Sequence, residues 1–296
     1  MRDSFSTFHP LVNFLYFVTV LTFSMLFMHP VFQAIALASA VIYAIQLNGA
    51  KAIRFNVLYM LPLLLVMAAM NPAFNHAGVT ILFYLKSGNP VTLESIAYGI
   101  AAACMFVTVI VWFSCYNAVM SSDKFIYLFG TILPSLSLLL SMALRFVPRY
   151  LAQIRVISNA QKCIGRDVTQ GNLLRRARNG MTIISIVTTW ALENAIETAN
   201  AMKSRGYGLP GRTSFSLYRF DSRDKYVFGI MLGFIIVVLA GAAMGENTIR
   251  FFPSIKWTAT TPRSIIIYIA YFALCMLPVI INLAEELKWK STQSKN

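Results

Sequence analysis

Six long apolar runs in this chain contain no Asp, Glu, Lys, Arg or His, and that feature limits the solvent in which it can fold. The runs are Leu11–Met28, Val31–Leu47, Val57–Met70, Ser95–Tyr116, Tyr226–Gly245 and Ser264–Ala284. A bilayer crossing needs ~20 mostly apolar residues, with a range of about 17–25. Within lipid every backbone polar group must be satisfied internally, so such runs cross as helices. The first two are separated only by His29-Pro30, which predicts a tight helical hairpin. The third is short and closes at Asn71-Pro72, a helix-stop signal. The chain is 57% hydrophobic and 12% charged, whereas soluble globular domains carry about 25% charged residues. A soluble enzyme, a disordered chain and a nucleic-acid binder are excluded on that basis. The fold class is an all-α integral membrane protein with about six transmembrane helices.

Charge sets the orientation. Lys and Arg number 25 against 11 Asp and Glu. A seventh apolar run, Phe125–Val147, carries Gly130 and Pro134 and leads into the most basic part of the chain. If the other six runs cross and this one is embedded without crossing, one side holds 21 Lys and Arg, and the other holds only Lys86, Arg250, Lys256 and Arg263. The positive-inside bias then makes both termini and residues 117–225 cytoplasmic. Three parts follow: N-terminal transmembrane helices over 1–116, an embedded segment with cytoplasmic helices over 117–225, and C-terminal transmembrane helices with a basic tail over 226–296. Proton relays and ion-coupled carriers place Asp, Glu, Lys, Arg or His inside the membrane, and the six runs have none. His9, His29 and His76 all fall at span ends or in loops. No catalytic constellation is present, Cys104, Cys115, Cys163 and Cys275 have no metal-ligand spacing, and nothing fits GxxxxGK[ST].

Between Pro148 and Lys225 the pattern becomes amphipathic. Val147, Leu151, Ile154 and Ile157 recur at helical spacing, with Arg149, Arg155 and Lys162 off that stripe. A loop rich in Gly, Asp and Thr follows over Gly165–Asn172, and a second helical pattern runs from Leu173 to Arg205. That second helix is too long to stand alone in water, so it is expected to pack on the first. The row Val187, Ala191, Ala195, Ala199 and Met202 offers a close approach. Each helix ends in a related phrase, Ala160-Gln161-Lys162-Cys163-Ile164-Gly165-Arg166 and Ala201-Met202-Lys203-Ser204-Arg205-Gly206-Tyr207-Gly208. In the second phrase Arg205 sits in the last turn, where a cation is favoured, and Gly206 supplies a left-handed stop.

The segment Ala191–Arg212, followed by Thr213, resembles the C-terminal coupling helix of the T component of energy-coupling factor (ECF) transporters, the CbiQ/EcfT family. That family carries an Ala-Arg-Gly motif at the end of each of two cytoplasmic coupling helices, and each motif docks in a groove of one ABC-type ATPase. Ser204-Arg205-Gly206 is similar to the second motif, with Ser in place of Ala. Cys163-Ile164-Gly165 stands in the place of the first and lacks its arginine, Arg166 being two positions further on. His9-Pro10 before the first span and Arg145-Phe146-Val147-Pro148 entering the second region are further echoes.

The resemblance implies a non-catalytic subunit of an ATP-driven importer in a prokaryotic plasma membrane. Its partners would be the lipid bilayer, two ABC-type ATPases and a small membrane S component that captures a vitamin or metal ion. It implies no cofactor in this chain, because the ATPases bind the ATP. The coupling helices would cross like an X and carry ATPase motion to the S component. The ATPase-coupling residues would be Ser204, Arg205 and Gly206 at one end and Cys163, Ile164, Gly165 and Arg166 at the other. Two alternatives stand beside this. One is the permease of a conventional ABC importer, whose EAA pattern Glu193-Asn194-Ala195 weakly resembles, and the other is a membrane scaffold with no transport role.

Overall fold

The computed structural model describes residues 3–84, 90–130, 134–207, 218–257 and 261–293. Nine helices are formed among them: α1 (Pro10–Leu26), α2 (Pro30–Asn48), α3 (Ala50–Phe74), α4 (Leu93–Val119), α5 (Ser122–Gly130), α6 (Pro134–Cys163), α7 (Leu173–Ser204), α8 (Ser222–Ala243) and α9 (Pro262–Gln293). Two short antiparallel pairs accompany them, β1 (Ile81–Tyr84) with β2 (Pro90–Thr92) and β3 (Ile249–Arg250) with β4 (Lys256–Trp257). The chain divides into two compact units, Met1–Lys124 with Tyr218–Asn296, and Phe125–Leu217.

The first unit is the membrane bundle. Five of its helices, α2, α3, α4, α8 and α9, are long and apolar enough to cross a bilayer. The remaining run, Leu11–Met28, forms α1, a shorter apolar helix of 17 residues, or about 26 Å at 1.5 Å per residue. The chain is therefore an all-α multi-pass membrane protein. Run Phe125–Val147 is divided between α5 and α6, neither of which is among the five, and residues 131–133 lie outside the described residues.

Aromatic rings fill the bundle interior. Phe5 meets Tyr16 edge-on at 5.2 Å, Tyr16 meets Trp112 at 6.0 Å, and Tyr43 lies 6.2 Å from Trp112. A second cluster joins Phe23, Phe27, Phe32 and Tyr271, with Phe32 and Tyr271 at 5.1 Å. Edge-to-face ring pairs contribute beyond their area alone, which matters in lipid, where apolar burial between helices gives little driving force.

One end of the bundle is a layer of polar ties. Asn282 accepts the Phe5 N–H at 3.0 Å and donates to Asp3 at 2.9 Å and to Gln46 at 3.3 Å. Lys124 Nζ donates to the carbonyls of Ser6 at 2.5 Å and Val119 at 2.9 Å. Asp224 accepts the backbone N–H groups of His9 at 3.1 Å and Asp221 at 3.0 Å. Arg223 pairs with Glu285 at 2.5 Å and lies 4.1 Å above the Phe8 ring. These bonds gather the N-terminal segment, the ends of α2 and α4, the start of α8 and the later part of α9 at the same end.

The His-Pro pairs act as helix starts. His9 Nδ1 accepts the Leu11 N–H at 3.2 Å, His29 Nδ1 accepts the Val31 N–H at 3.3 Å, and the prolines occupy the first helical positions. Proline loses nothing there, since that N–H has no helical partner. Burial holds both imidazoles below the ordinary 6.5, with the Asp224 carboxylate opposing part of the shift at His9. Protonation would remove the capping lone pair and charge a buried ring. The unfolded chain takes up these protons near 6.5 before the folded one does, so this contribution is complete above that pH and falls as pH drops below it. The unfolding midpoint in detergent should therefore fall between pH 7.5 and 5.5, and His29→Asn, which keeps an N-capping oxygen, should flatten the fall. A wild-type midpoint unchanged over that interval would contradict this.

Asn71-Pro72 does not stop the third span, because α3 continues to Phe74. Pro72 has no N–H for the Ala68 carbonyl, and that carbonyl is where α4 comes nearest. A Cβ on Gly99 would lie 2.7 Å from Ala68 O and 3.0 Å from Asn71 Cβ. Ser95 Oγ adds bonds to Asn75 O at 2.6 Å and Asn71 Oδ1 at 3.2 Å. The proline therefore marks the contact with α4. Leu61–Phe74 buries no residue, whereas the earlier part of α3 buries Ala52 and Met60.

Candidate functional site

The second unit is built on α6 and α7. Asn172 caps the start of α7, its Oδ1 accepting the Leu173 N–H at 2.8 Å. The connection is held by Asp167, which accepts the Thr169 N–H at 2.9 Å and lies 3.6 Å from Lys162 Nζ. These two interactions, the first dominant, hold its carboxyl below the ordinary range. The Val168 carbonyl accepts from Arg176 Nε at 2.8 Å and the Asp167 carbonyl from Asn179 at 2.9 Å. The loop is thus fixed to the first turns of α7, and the helices run antiparallel from it. Tyr150 meets Trp190 edge-on at 5.7 Å, and Phe146 stacks on Tyr150 at 5.8 Å.

The faces that meet differ from those the sequence periodicity suggests. On α6 the inward positions are Met142, Phe146, Tyr150 and Ile157, while Val147 is 49% and Leu151 53% exposed. On α7 they are Ile183, Val187, Trp190, Asn194, Thr198 and Met202, while Ala195 and Ala199 are exposed. Both helices carry two apolar faces, and the one bearing the large rings makes the contact. Larger rings bury more area per residue, so Ala195 and Ala199 stay on the surface, while Val187, Ala191 and Met202 of the same row are half-buried.

Both helix ends have the same backbone. After α7, Gly206 is left-handed at φ 81°, its N–H donates to Lys203 O at 3.0 Å, and the Tyr207 N–H donates to Met202 O at 3.0 Å. After α6, Gly165 is left-handed at φ 78°, its N–H donates to Lys162 O at 3.0 Å, and the Arg166 N–H donates to Gln161 O at 2.9 Å. Each is a Schellman end, in which a glycine beyond the helix turns the chain and satisfies the last carbonyls. In register, Lys162 matches Lys203, Cys163 matches Ser204, Ile164 matches Arg205, Gly165 matches Gly206 and Arg166 matches Tyr207. Arg205 is therefore the C-cap of α7 and exposed, and the C-cap of α6 is Ile164, 63% exposed. The guanidinium and the apolar group exchange places between the ends. The shared loop keeps the first end beside the start of α7, so the two ends lie about the length of that 32-residue helix apart, about 48 Å. Residues 208–217, among them Gly208, Arg212 and Thr213, lie outside the described residues.

Near the Arg205 end a cleft of about 700 Å³ opens between the helices, with Arg145 and Arg149 of α6 beside Arg205 of α7. The Arg149 guanidinium lies 5.8 Å from the centre of the Trp190 ring. Periodicity had set Arg149 aside as off the apolar stripe; the signal that marks it is its i,i+4 spacing from Arg145 on one helix face. Among the described residues no group of His, Cys, Asp and Glu is arranged to hold a metal ion.

Known proteins match this chain at two levels. The curated relatives include the energy-coupling factor transporter transmembrane protein EcfT of Leuconostoc gelidum subsp. gasicomitatum, 33% identical over 109 residues, which cover 36% of this chain and 41% of that protein. The protein of the same name from Lactococcus lactis subsp. cremoris is 37% identical over 106 residues, covering 35% of this chain and 40% of the relative. That from Lactobacillus helveticus is 38% identical over 104 residues, covering 35% and 36%. The matched stretch thus spans about two fifths of these relatives. The family model of the cobalt transport protein CbiQ matches residues 4–217, most of the chain and both helix ends. With its apolar helices and its paired helix ends, this chain belongs to the CbiQ family.

Proposed function

We propose that this chain is the transmembrane coupling component of an energy-coupling factor importer. It transmits the ATP-driven movement of two ABC-type ATPases to a membrane S component that captures a vitamin or metal ion. One ATPase docks at Ser204-Arg205-Gly206 and the other at Cys163-Ile164-Gly165-Arg166. The observation that carries this is the pair of Schellman ends with matching backbone, set about 48 Å apart on one helix pair. A passive anchor has no use for two such ends. The names of the relatives point the same way. On this reading the chain is non-catalytic and binds no ATP, and the membrane unit is its scaffold in the plasma membrane. Both termini and residues 117–225 are then cytoplasmic, on the 21-to-4 distribution of Lys and Arg. The coupling region corresponds to 117–225, between the transmembrane parts 1–116 and 226–296.

The chain carries its own probe. Cys163 is the exposed cysteine, while Cys115 and Cys275 are buried and Cys104 is half-buried. A thiol-reactive photocrosslinker on Cys163, and separately on Ser204→Cys in a Cys163→Ser background, should each capture an ABC-type ATPase in native membranes. No ATPase adduct from either position would refute the docking.

A further inference from the structure

Among the described residues, the cleft beside Arg205 is lined by three guanidiniums and no acid. Arg145 and Arg149 come from α6, Arg205 comes from the end of α7, and all three are exposed. Among the described residues none of the three forms an ion pair, and the pairs that do form lie elsewhere. Glu193 and Glu197, the nearest acids along α7, are exposed and pair with none of the three. Three like charges converging on one concavity repel one another, an arrangement that becomes favourable only when an anion is bound. Half-buried Met142, Phe146 and Met202 also line the cleft. Apolar walls reduce hydration and strengthen any ion pair formed within them. Trp190 holds the Arg149 head through a cation–π contact at 5.8 Å, so part of the cost of ordering that side chain is met before binding. Thr198 spends its hydroxyl on Asn194 O at 2.7 Å and does not compete.

We infer that this cleft is an acid-accepting dock in which Arg145 and Arg149 act together with Arg205 on one ATPase subunit. The occupant is an acidic segment of that ATPase, bearing at least two carboxylates. Guanidiniums suit carboxylates because they bind them in a planar, bidentate fork. A protein segment is favoured over a lipid headgroup because the cleft is continuous with the Arg205 end, whose backbone is repeated at the other end of the helix pair. This rests on the docking reading above and extends it. One ATPase would hold both α6 and α7, so its movement would carry the helix pair as a unit. The other end presents Ile164 where this one presents Arg205, so the two docks are chemically unlike at the C-cap.

The test uses the full chain co-expressed with its cell's ABC-type ATPases, with Arg145→Glu, Arg149→Glu, Arg205→Glu and, as an exposed control outside the cleft, Arg155→Glu. Arg145→Glu and Arg149→Glu should each weaken ATPase association at least tenfold, Arg155→Glu should not, and Arg145→Lys should restore part of it. The isolated variants should unfold in detergent no earlier than wild type, because each relieves like-charge repulsion; early unfolding would mean these arginines are structural and would overturn the inference. Loss of association in Arg205→Glu alone would overturn the shared dock and leave the docking reading standing. Unchanged association in all four variants would overturn both. If the α6 variants keep their ATPases but lose binding to phosphatidylglycerol vesicles, the cleft is a lipid site and the inference fails.

Discussion

Arg205→Ala should insert normally, unfold in detergent at the wild-type midpoint, and fail to bring down ATPase or to support uptake. The side chain is exposed at the C-cap of α7, and its backbone is held by bonds to Ala201 O at 3.3 Å and Met202 O at 3.2 Å, which alanine retains. Fold stability should therefore change little. Removing one partner of a desolvated charge pair at an interface costs about 2–5 kcal/mol, so association should weaken at least about 30-fold. Gly206→Val acts through another route. It forces a β-branched residue to φ 81°, which an L side chain disfavours by about 1–2 kcal/mol, and so should disorder the end that presents the arginine. Ile164→Ala removes an apolar contact at the other end and should cost less than Arg205→Ala. Equal losses from the two would mean that the ends are chemically alike to their partners, against the exchange of Arg and Ile seen at the C-cap.

The second large effect belongs to the membrane unit. Gly99→Leu should prevent α3 and α4 from closing, because even a Cβ at Gly99 meets the Ala68 carbonyl at 2.7 Å. That neighbour is backbone and cannot rotate away. Overpacking a tight contact costs about 1–3 kcal/mol for small additions. Gly99→Ala should thus lower unfolding stability in detergent by that amount, and the leucine should leave little folded protein. Ile100→Ala is the control, since Ile100 is 49% exposed on the same helix and surface changes are usually within about 0.5 kcal/mol. If Gly99→Leu unfolds with the control, the close approach is not needed for the fold.

The physical origin of each feature decides how much of this was legible in the sequence. The spans were legible because lipid imposes length and apolarity on any crossing, and all six runs became helices. The end of α3 was misread because Asn71-Pro72 stops a helix in isolation. Here Ser95 and the close approach of Gly99 hold the last turn beyond Pro72 in place. The two helix ends were legible from Gly165 and Gly206, since a left-handed C′ residue is almost a glycine requirement. The register that sets Ile164 opposite Arg205 was legible from aligning the two glycines, and the backbone bonds agree with it. The packed faces of α6 and α7 were not legible from period alone. Each helix offers two apolar stripes, and the contact of Tyr150 with Trp190 chooses between them. Arg145 and Arg149 join Arg205 only through that pairing, so no local pattern could reveal the cleft.

The central claim is that two ATPases hold this chain by its two helix ends. The most direct measurement is affinity purification of the tagged chain from its native membrane in mild detergent, with mass spectrometry of the intact complex. The account predicts one copy of this chain, two ABC-type ATPase subunits and one small multi-span membrane protein. An intact complex without an ATPase, under conditions that preserve a known ABC transporter, would contradict it.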